Sequence, residues 1–209
     1  MPLVLPALYP IIDTEISPHP VEILIEEFAA AGLTWVQLRD KKANSRELFK
    51  EAQRLVELAS VHQMKVIVND RSDISWLANA DGAHLGQEDL PIEDARRILG
   101  WGKIIGVSAH NLKQAVQAEE SSADYVAIGP VFVTSSKRNP DPVLTRDELM
   151  EIRRQVTKPL VAIGGITTEN AGTLFGLGFD SVAVIRDLLC VMDISSQIQR
   201  YLKCHDKFS

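Results

Sequence analysis

The chain has 209 residues, 45% hydrophobic and 24% charged, an ordinary globular composition that excludes intrinsic disorder as its main state. Its 22 Lys and Arg against 28 Asp and Glu leave a formal net charge of −6. That excludes general nucleic-acid binding, which needs a basic surface to displace counterions from phosphates, but leaves a small phosphorylated ligand open.

The first ten residues are apolar but hold three prolines and lack a basic start or a long apolar run, so neither a signal peptide nor a membrane helix is expected there. A first strand is expected over 5–12, then a helix over 21–31 with Ile23, Leu24, Phe28 and Ala31 on one face and Gly32 at its end. A strand over 34–38 precedes a second amphipathic helix over 47–61, carried by Leu48, Ala52, Leu55 and Ala59. Further short apolar or β-branched runs follow at 65–69, 82–85, 104–107, 125–128, 160–163 and 181–184, with Gly100 or Gly102 closing the fourth helical pattern and Gly178 the seventh. One irregular stretch, 133–145, is longer than a compact domain keeps without a use. Cys190 and Cys204 lack metal-ligand spacing and are too few for a disulfide framework, so a reducing compartment, by default the cytoplasm, is expected. Eight strand–helix units of roughly 25 residues each imply a single-domain (β/α)₈ TIM barrel over 1–209, with a doubly wound open sheet as the competing architecture.

In a (β/α)₈ barrel the chemistry sits at the C-terminal ends of the strands. The residues just past the apolar runs are Gln37, Arg39, Asp40, Lys41 and Lys42; Asn69, Asp70 and Arg71; His84, Gln87, Glu88 and Asp89; Ser108 and His110; Thr134, Ser135, Ser136, Lys137 and Arg138; and Gly164 with Gly165. Arg39, Lys41 and Lys137 are cations on different loops of one rim, with the carboxylates of Asp70 and Asp89 beside them. Arg and Lys take phosphate oxygens, and a hard ion such as Mg²⁺ is held by one or two carboxylates plus phosphate oxygens, so the set reads as a metal–polyphosphate site. The plainer alternative is that Asp40 and Asp70 are solvated helix-capping charges. His84, inside a strand, reads as a packed or hydrogen-bonded barrel residue, and His110 as a loop residue. A second anion site is suggested by Gly164-Gly165 after the seventh strand and Ile185-Arg186 after the eighth, where barrels commonly bind phosphate.

With these residues placed, the sequence resembles the thiamine phosphate synthase family from Tyr9 to Leu189. The resemblance runs through Val36-Gln37-Leu38-Arg39-Asp40-Lys41, Val68-Asn69-Asp70-Arg71, Ala80-Asp81-Gly82-Ala83-His84-Leu85-Gly86-Gln87-Glu88-Asp89, Gly106-Val107-Ser108-Ala109-His110, Ala123-Asp124-Tyr125-Val126, Gly129-Pro130-Val131-Phe132 and Val161-Ala162-Ile163-Gly164-Gly165-Ile166. It implies a transferase of thiamine biosynthesis that joins 4-amino-2-methyl-5-hydroxymethylpyrimidine diphosphate to a thiazole phosphate or its carboxylate and releases diphosphate. Carried over by position, Arg39, Lys41, Asn69 and Lys137 would bind the diphosphate, Asp70 and Asp89 would hold Mg²⁺, and Gln37 and Ser108 would face the pyrimidine. Thr134, Ser136, Gly165 and the backbone at Ile185 and Arg186 would hold the thiazole phosphate. Arg39, Lys41, Lys137 and Ser108 are the residues expected to act in catalysis.

Two positions depart from the family pattern: Thr-x-Thr-Lys appears as Thr134-Ser135-Ser136-Lys137, and Arg186 stands where a serine is usual. A related thiazole tautomerase uses a histidine where this chain has Pro130, and an inactive thiazole-phosphate-binding regulatory barrel would not need the metal and diphosphate residues. The expected partners are therefore the two small substrates, with no nucleic acid or membrane, and a homo-oligomer left open.

Overall fold

The computed structural model describes residues 3–134 and 141–208; Ser135, Ser136, Lys137 and Arg138 lie outside them. Eight parallel strands, β1 (Leu8–Asp13), β2 (Trp35–Arg39), β3 (Lys65–Asn69), β4 (Gly82–Leu85), β5 (Ile104–Ala109), β6 (Tyr125–Ile128), β7 (Leu160–Ile163) and β8 (Ser181–Val184), pair in chain order. The ring closes through β1 on β8, with Leu8 opposite Val182 and Pro10 opposite Val184, which excludes the open sheet. Helices α1 (Val21–Ala30), α2 (Ser45–Val61), α3 (Ser72–Leu77), α4 (Ile92–Leu99), α5 (Leu112–Glu120), α6 (Arg146–Gln155) and α7 (Ala171–Gly176) each follow one strand, and α8 (Arg186–Leu189) and α9 (Ile194–His205) follow the last. None of them is long and apolar enough to cross a membrane among the described residues.

Seven of the eight strands match the sequence expectation to within two residues at both ends, including five where the C-terminal end is unchanged. The first begins three residues later than expected and runs one further, to Asp13. Alternation of side chains along each strand makes two cores. Leu8, Val36, Leu38, Val66, Val68, Val126, Ile128, Leu160, Ala162 and Val182 point outward and pack beneath the helices, against Leu24, Phe28, Leu55 and Leu174. The opposite parity, Tyr9, Ile11, Trp35, Ile67, Tyr125, Ala127, Val161 and Ala183, fills the barrel interior. The helix ends follow local chemistry: Asn44 accepts from the N–H groups of Arg46 and Glu47 while Glu47 reaches back to the Asn44 N–H, a capping box that starts α2.

The interior is tight enough to dictate a glycine. A Cβ on Gly106 would lie 2.0 Å from Cζ of Tyr125, inside any permitted contact. Gly106→Ala is expected to cost about 1–3 kcal/mol of stability through overpacking, read as a lowered thermal midpoint by calorimetry. An unchanged midpoint would show that the Tyr125 ring moves aside freely.

Candidate active site

The inward parity of the strands explains how residues far apart in sequence converge. Asp13, Arg39 and Asn69 end β1, β2 and β3 on the parity of the interior residues below them, and Gln37, His84 and Ser108 share that parity one layer down or on neighbouring strands. Polar groups thus crown an apolar barrel at its C-terminal mouth.

Charge on this rim is internally paired. Arg39 forms an ion pair with Asp13, whose side chain is 1% exposed, and Lys41 pairs with Asp70. Asp70 sits at a positive φ of 65°, a conformation Asp tolerates better than most residues, and its N–H donates to the carbonyl of His84 at 2.7 Å. Asp70 caps no helix, since Arg71 occupies the N-cap of α3, so the capping alternative fails there. It holds better for Asp40, which organises its own turn by accepting from the N–H groups of Lys42 and Ala43. Burial pushes the Asp40 carboxyl up, but those two donors and the Thr14 hydroxyl outweigh it and hold the carboxyl below its ordinary value.

Asp89 accepts from the Gly86 N–H at 2.6 Å, and its carboxyl is raised, first by burial and then by the neighbouring Asp70 carboxyl. Two carboxyls close enough to oppose each other's ionisation form a place that favours a cation. Among the described residues no group of three or more Asp, Glu, His or Cys side chains could hold a metal by itself. The donor set therefore fits a hard divalent ion whose remaining ligands come from substrate oxygens and water.

Beneath the rim a chain of hydrogen bonds crosses the barrel. Gln37 Nε2 donates to the Tyr9 hydroxyl at 3.1 Å, the Tyr9 and Tyr125 hydroxyls lie 3.2 Å apart, and the Tyr125 hydroxyl is 3.0 Å from His84 Nδ1. His84 Nε2 lies 2.9 Å from Ser108 Oγ, so the chain ends at the second residue expected to face the pyrimidine. His84 is thus the hydrogen-bonded barrel residue its strand position implied. His110, just past β5, lies with Nδ1 2.5 Å from the Gly129 carbonyl oxygen.

On the opposite side of the mouth, the segment after β6 is bonded to the segment after β7: Val131 N–H donates to the Ile163 carbonyl and Phe132 N–H to that of Gly164, both at 3.0 Å. A Cβ on Gly165 would sit 2.3 Å from the Val133 carbonyl oxygen, so this approach requires a glycine, which also adopts φ of 63°. Gly165, Ile185 and Arg186 are brought to neighbouring strand ends, β7 and β8, with Thr134 partly buried past β6. Asp187 accepts from Tyr201 at 2.6 Å and from Gln197 at 2.7 Å and makes no ion pair with the exposed Arg186. Ser136 and Lys137 lie outside the described residues.

Sequence reasoning missed Asp13, Tyr9 and Tyr125. Asp13 carried a usable signal, because it is the first acidic residue after the first apolar run and holds the parity of Tyr9 and Ile11. Tyr9 carried none, since an aromatic residue inside an apolar run reads as core, and Tyr125 lay in a motif of the family resemblance to which no role was attached.

A family model described as thiamine monophosphate synthase matches residues 8–188. A thiamine-phosphate synthase of Koribacter versatilis is 43% identical over 192 residues, 90% of each chain, and one of Clostridium novyi is 43% identical over 170 residues, 81% of this chain and 83% of that one. Among solved structures, a thiamine phosphate pyrophosphorylase of Pyrococcus furiosus superposes with a TM-score of 0.86 at 33% identity, covering 96% of both chains.

Proposed function

The chain belongs to the thiamine monophosphate synthase family, and we propose from that premise that its rim joins a pyrimidine diphosphate to a thiazole phosphate, the carriers being Arg39, Lys41, Asn69, Asp70, Asp89 and Lys137. Its activity is that of a thiamine-phosphate synthase, a transferase. The pyrimidine substrate is 4-amino-2-methyl-5-hydroxymethylpyrimidine diphosphate and its partner the thiazole phosphate or carboxylate. The observation that carries this reading is the pairing of Lys41 with Asp70 next to Asp89, cation and acid together above a buried polar floor.

In the reaction the bond from the pyrimidine methylene carbon to the diphosphate oxygen breaks, its electrons leaving with diphosphate. The thiazole nitrogen then donates its lone pair to the cationic carbon. Arg39 and Lys41 hold the diphosphate and oppose the charge that builds on its departing oxygen, with Asn69 as a neutral donor and Lys137 as a further cation. Asp70 and Asp89 would hold Mg²⁺, which when bound would supply positive charge to the same oxygens. Gln37 and Ser108 hold the pyrimidine ring, and no side chain acts as a nucleophile. Thr134, Ser136, Gly165 and the N–H groups at Ile185 and Arg186 receive the thiazole phosphate. The expected setting is the cytoplasm.

Incubation with both substrates and Mg²⁺, with thiamine phosphate as the readout, tests this. Turnover of a thiazole tautomer alone, without product from the pair, would replace it with the tautomerase reading.

Arg186 is expected to contact the thiazole phosphate directly, since Asp187 is occupied by Tyr201 and Gln197 and does not draw it away. Arg186→Ser should raise KM for the thiazole phosphate by about tenfold, the worth of one charge-assisted contact, with little change for the pyrimidine diphosphate. Steady-state kinetics with each substrate varied in turn checks this, and two unchanged KM values would show that the backbone alone binds.

A further inference from the structure

The hydrogen-bond chain under the rim has a direction that can be worked out from its donors. Gln37 Nε2 can only donate, so the Tyr9 oxygen is an acceptor there. Among the described residues, the other side-chain partner of the Tyr9 hydroxyl is Tyr125, so the Tyr9 proton points to the Tyr125 oxygen. The Tyr125 proton is then left for His84 Nδ1. With Nδ1 accepting from Tyr125, the His84 ring proton sits on Nε2 and is donated to Ser108 Oγ. Ser108, once it accepts, has its own proton left for whatever lies above it. Both tyrosines stay protonated throughout, because burial raises them far above their ordinary value.

We propose that Tyr125, acting with Tyr9 and His84, is a positioning and specificity-determining residue that sets the two ends of this chain as a matched pair, the carbonyl of Gln37 as acceptor and the hydroxyl of Ser108 as donor. This rests on the reading that Gln37 and Ser108 face the pyrimidine. A 4-aminopyrimidine edge offers an amine donor beside a ring-nitrogen acceptor, the complement of that pair. A 4-oxopyrimidine offers a carbonyl acceptor beside a ring N–H donor, the reverse pattern, and leaves buried groups unpaired. Reversing the chain would swap both ends at once, so a single polarity through Tyr9, Tyr125 and His84 makes the two ends act as one selector.

The geometry favours a device of this kind over a merely packed core. The Tyr125 and His84 rings stack with centroids 5.6 Å apart and 27° between planes, and Tyr9 and Tyr125 meet edge to face, so each hydroxyl is held in place by ring packing that does not depend on it. Tyr125→Phe keeps the ring, its stack on His84 and its contact with Gly106, and removes only the link. His84 then loses its donor at Nδ1, and the tautomer that fixes Ser108 is no longer imposed.

Two measurements test the proposal. The first needs no substrate: ¹⁵N spectra of the full chain, with the His84 signal assigned by its loss in His84→Gln, should show the Nε2–H tautomer, and Tyr125→Phe should weaken that preference. An Nδ1–H tautomer in the wild-type protein, or the same tautomer strength in the variant, overturns the proposal. The second is the ratio of kcat/KM for the 4-amino over the 4-oxo pyrimidine diphosphate, which should fall at least about tenfold in Tyr125→Phe while KM for the thiazole phosphate holds. A purely structural loss lowers both pyrimidines alike and leaves the ratio where it was, which also overturns the proposal. Ser108→Ala and Gln37→Ala are run alongside. If neither alters pyrimidine kinetics, the reading beneath the proposal fails and takes the selector with it. If they do while the ratio in Tyr125→Phe stays put, the selector alone fails.

Discussion

Asp70→Asn and Asp89→Asn are each expected to lower kcat/KM for thiamine phosphate formation by about 10²–10³-fold, the scale on which removing one preorganised charge contact to a transition state acts. Asn is the sharper probe at position 70, because it accepts the positive φ of 65° that Ala resists, so a loss reports lost charge and not a distorted backbone. Each variant should also need more Mg²⁺ for half-maximal turnover. The check is turnover across a Mg²⁺ titration, with the fold confirmed by circular dichroism. Undiminished turnover at low Mg²⁺ in both variants would remove the proposed metal role.

Breaking the ion pair between Asp13 and Arg39 should damage stability and activity together. Asp13 is almost wholly enclosed and the Arg39 side chain is 17% exposed, so Asp13→Ala strands a guanidinium in a confined site. Removing one member of a buried pair typically costs about 3–5 kcal/mol, enough to move a denaturation midpoint well outside error. Turnover should fall too, because Arg39 loses the carboxylate that aims it at the mouth. The double replacement Asp13→Val with Arg39→Met separates the two effects: an apolar pair close to the ion pair in summed volume should recover most of the stability while turnover stays low. A single variant that melts with the wild-type protein would show that the pair is solvated and unimportant to the fold.

The parts of the molecule legible in the sequence are those where one residue's chemistry speaks for itself. Period-two apolar runs and helix-ending glycines placed the strands, since burial and positive φ leave local marks; Gly32, Gly100 and Gly178 all adopt φ above 70°. The rim charges could be found because a barrel delivers strand-end residues to one face. The layer underneath was not legible. Tyr9 and Tyr125 become polar links only when β1 and β6 face each other across the closed interior, a contact separated by 116 positions. Asp13 was legible but passed over, since it stands immediately past the first expected run, where the same strand-end rule applies. Whether Arg186 pairs with Asp187 likewise depended on α9, which brings Gln197 and Tyr201 to that carboxylate first.

The contact between Lys41 and Asp70 makes each of these residues the other's counterion. An arriving diphosphate must take Lys41 away from an acid, and an arriving metal ion must take Asp70 away from a base, so either one alone breaks a contact without replacing it on both sides. Each, once bound, leaves the other's residue free. By thermodynamic linkage the two affinities then rise by the same factor, whichever ligand comes first. In the proposed site the metal and the diphosphate would thus bind cooperatively, through one lysine–aspartate contact that each of them must open.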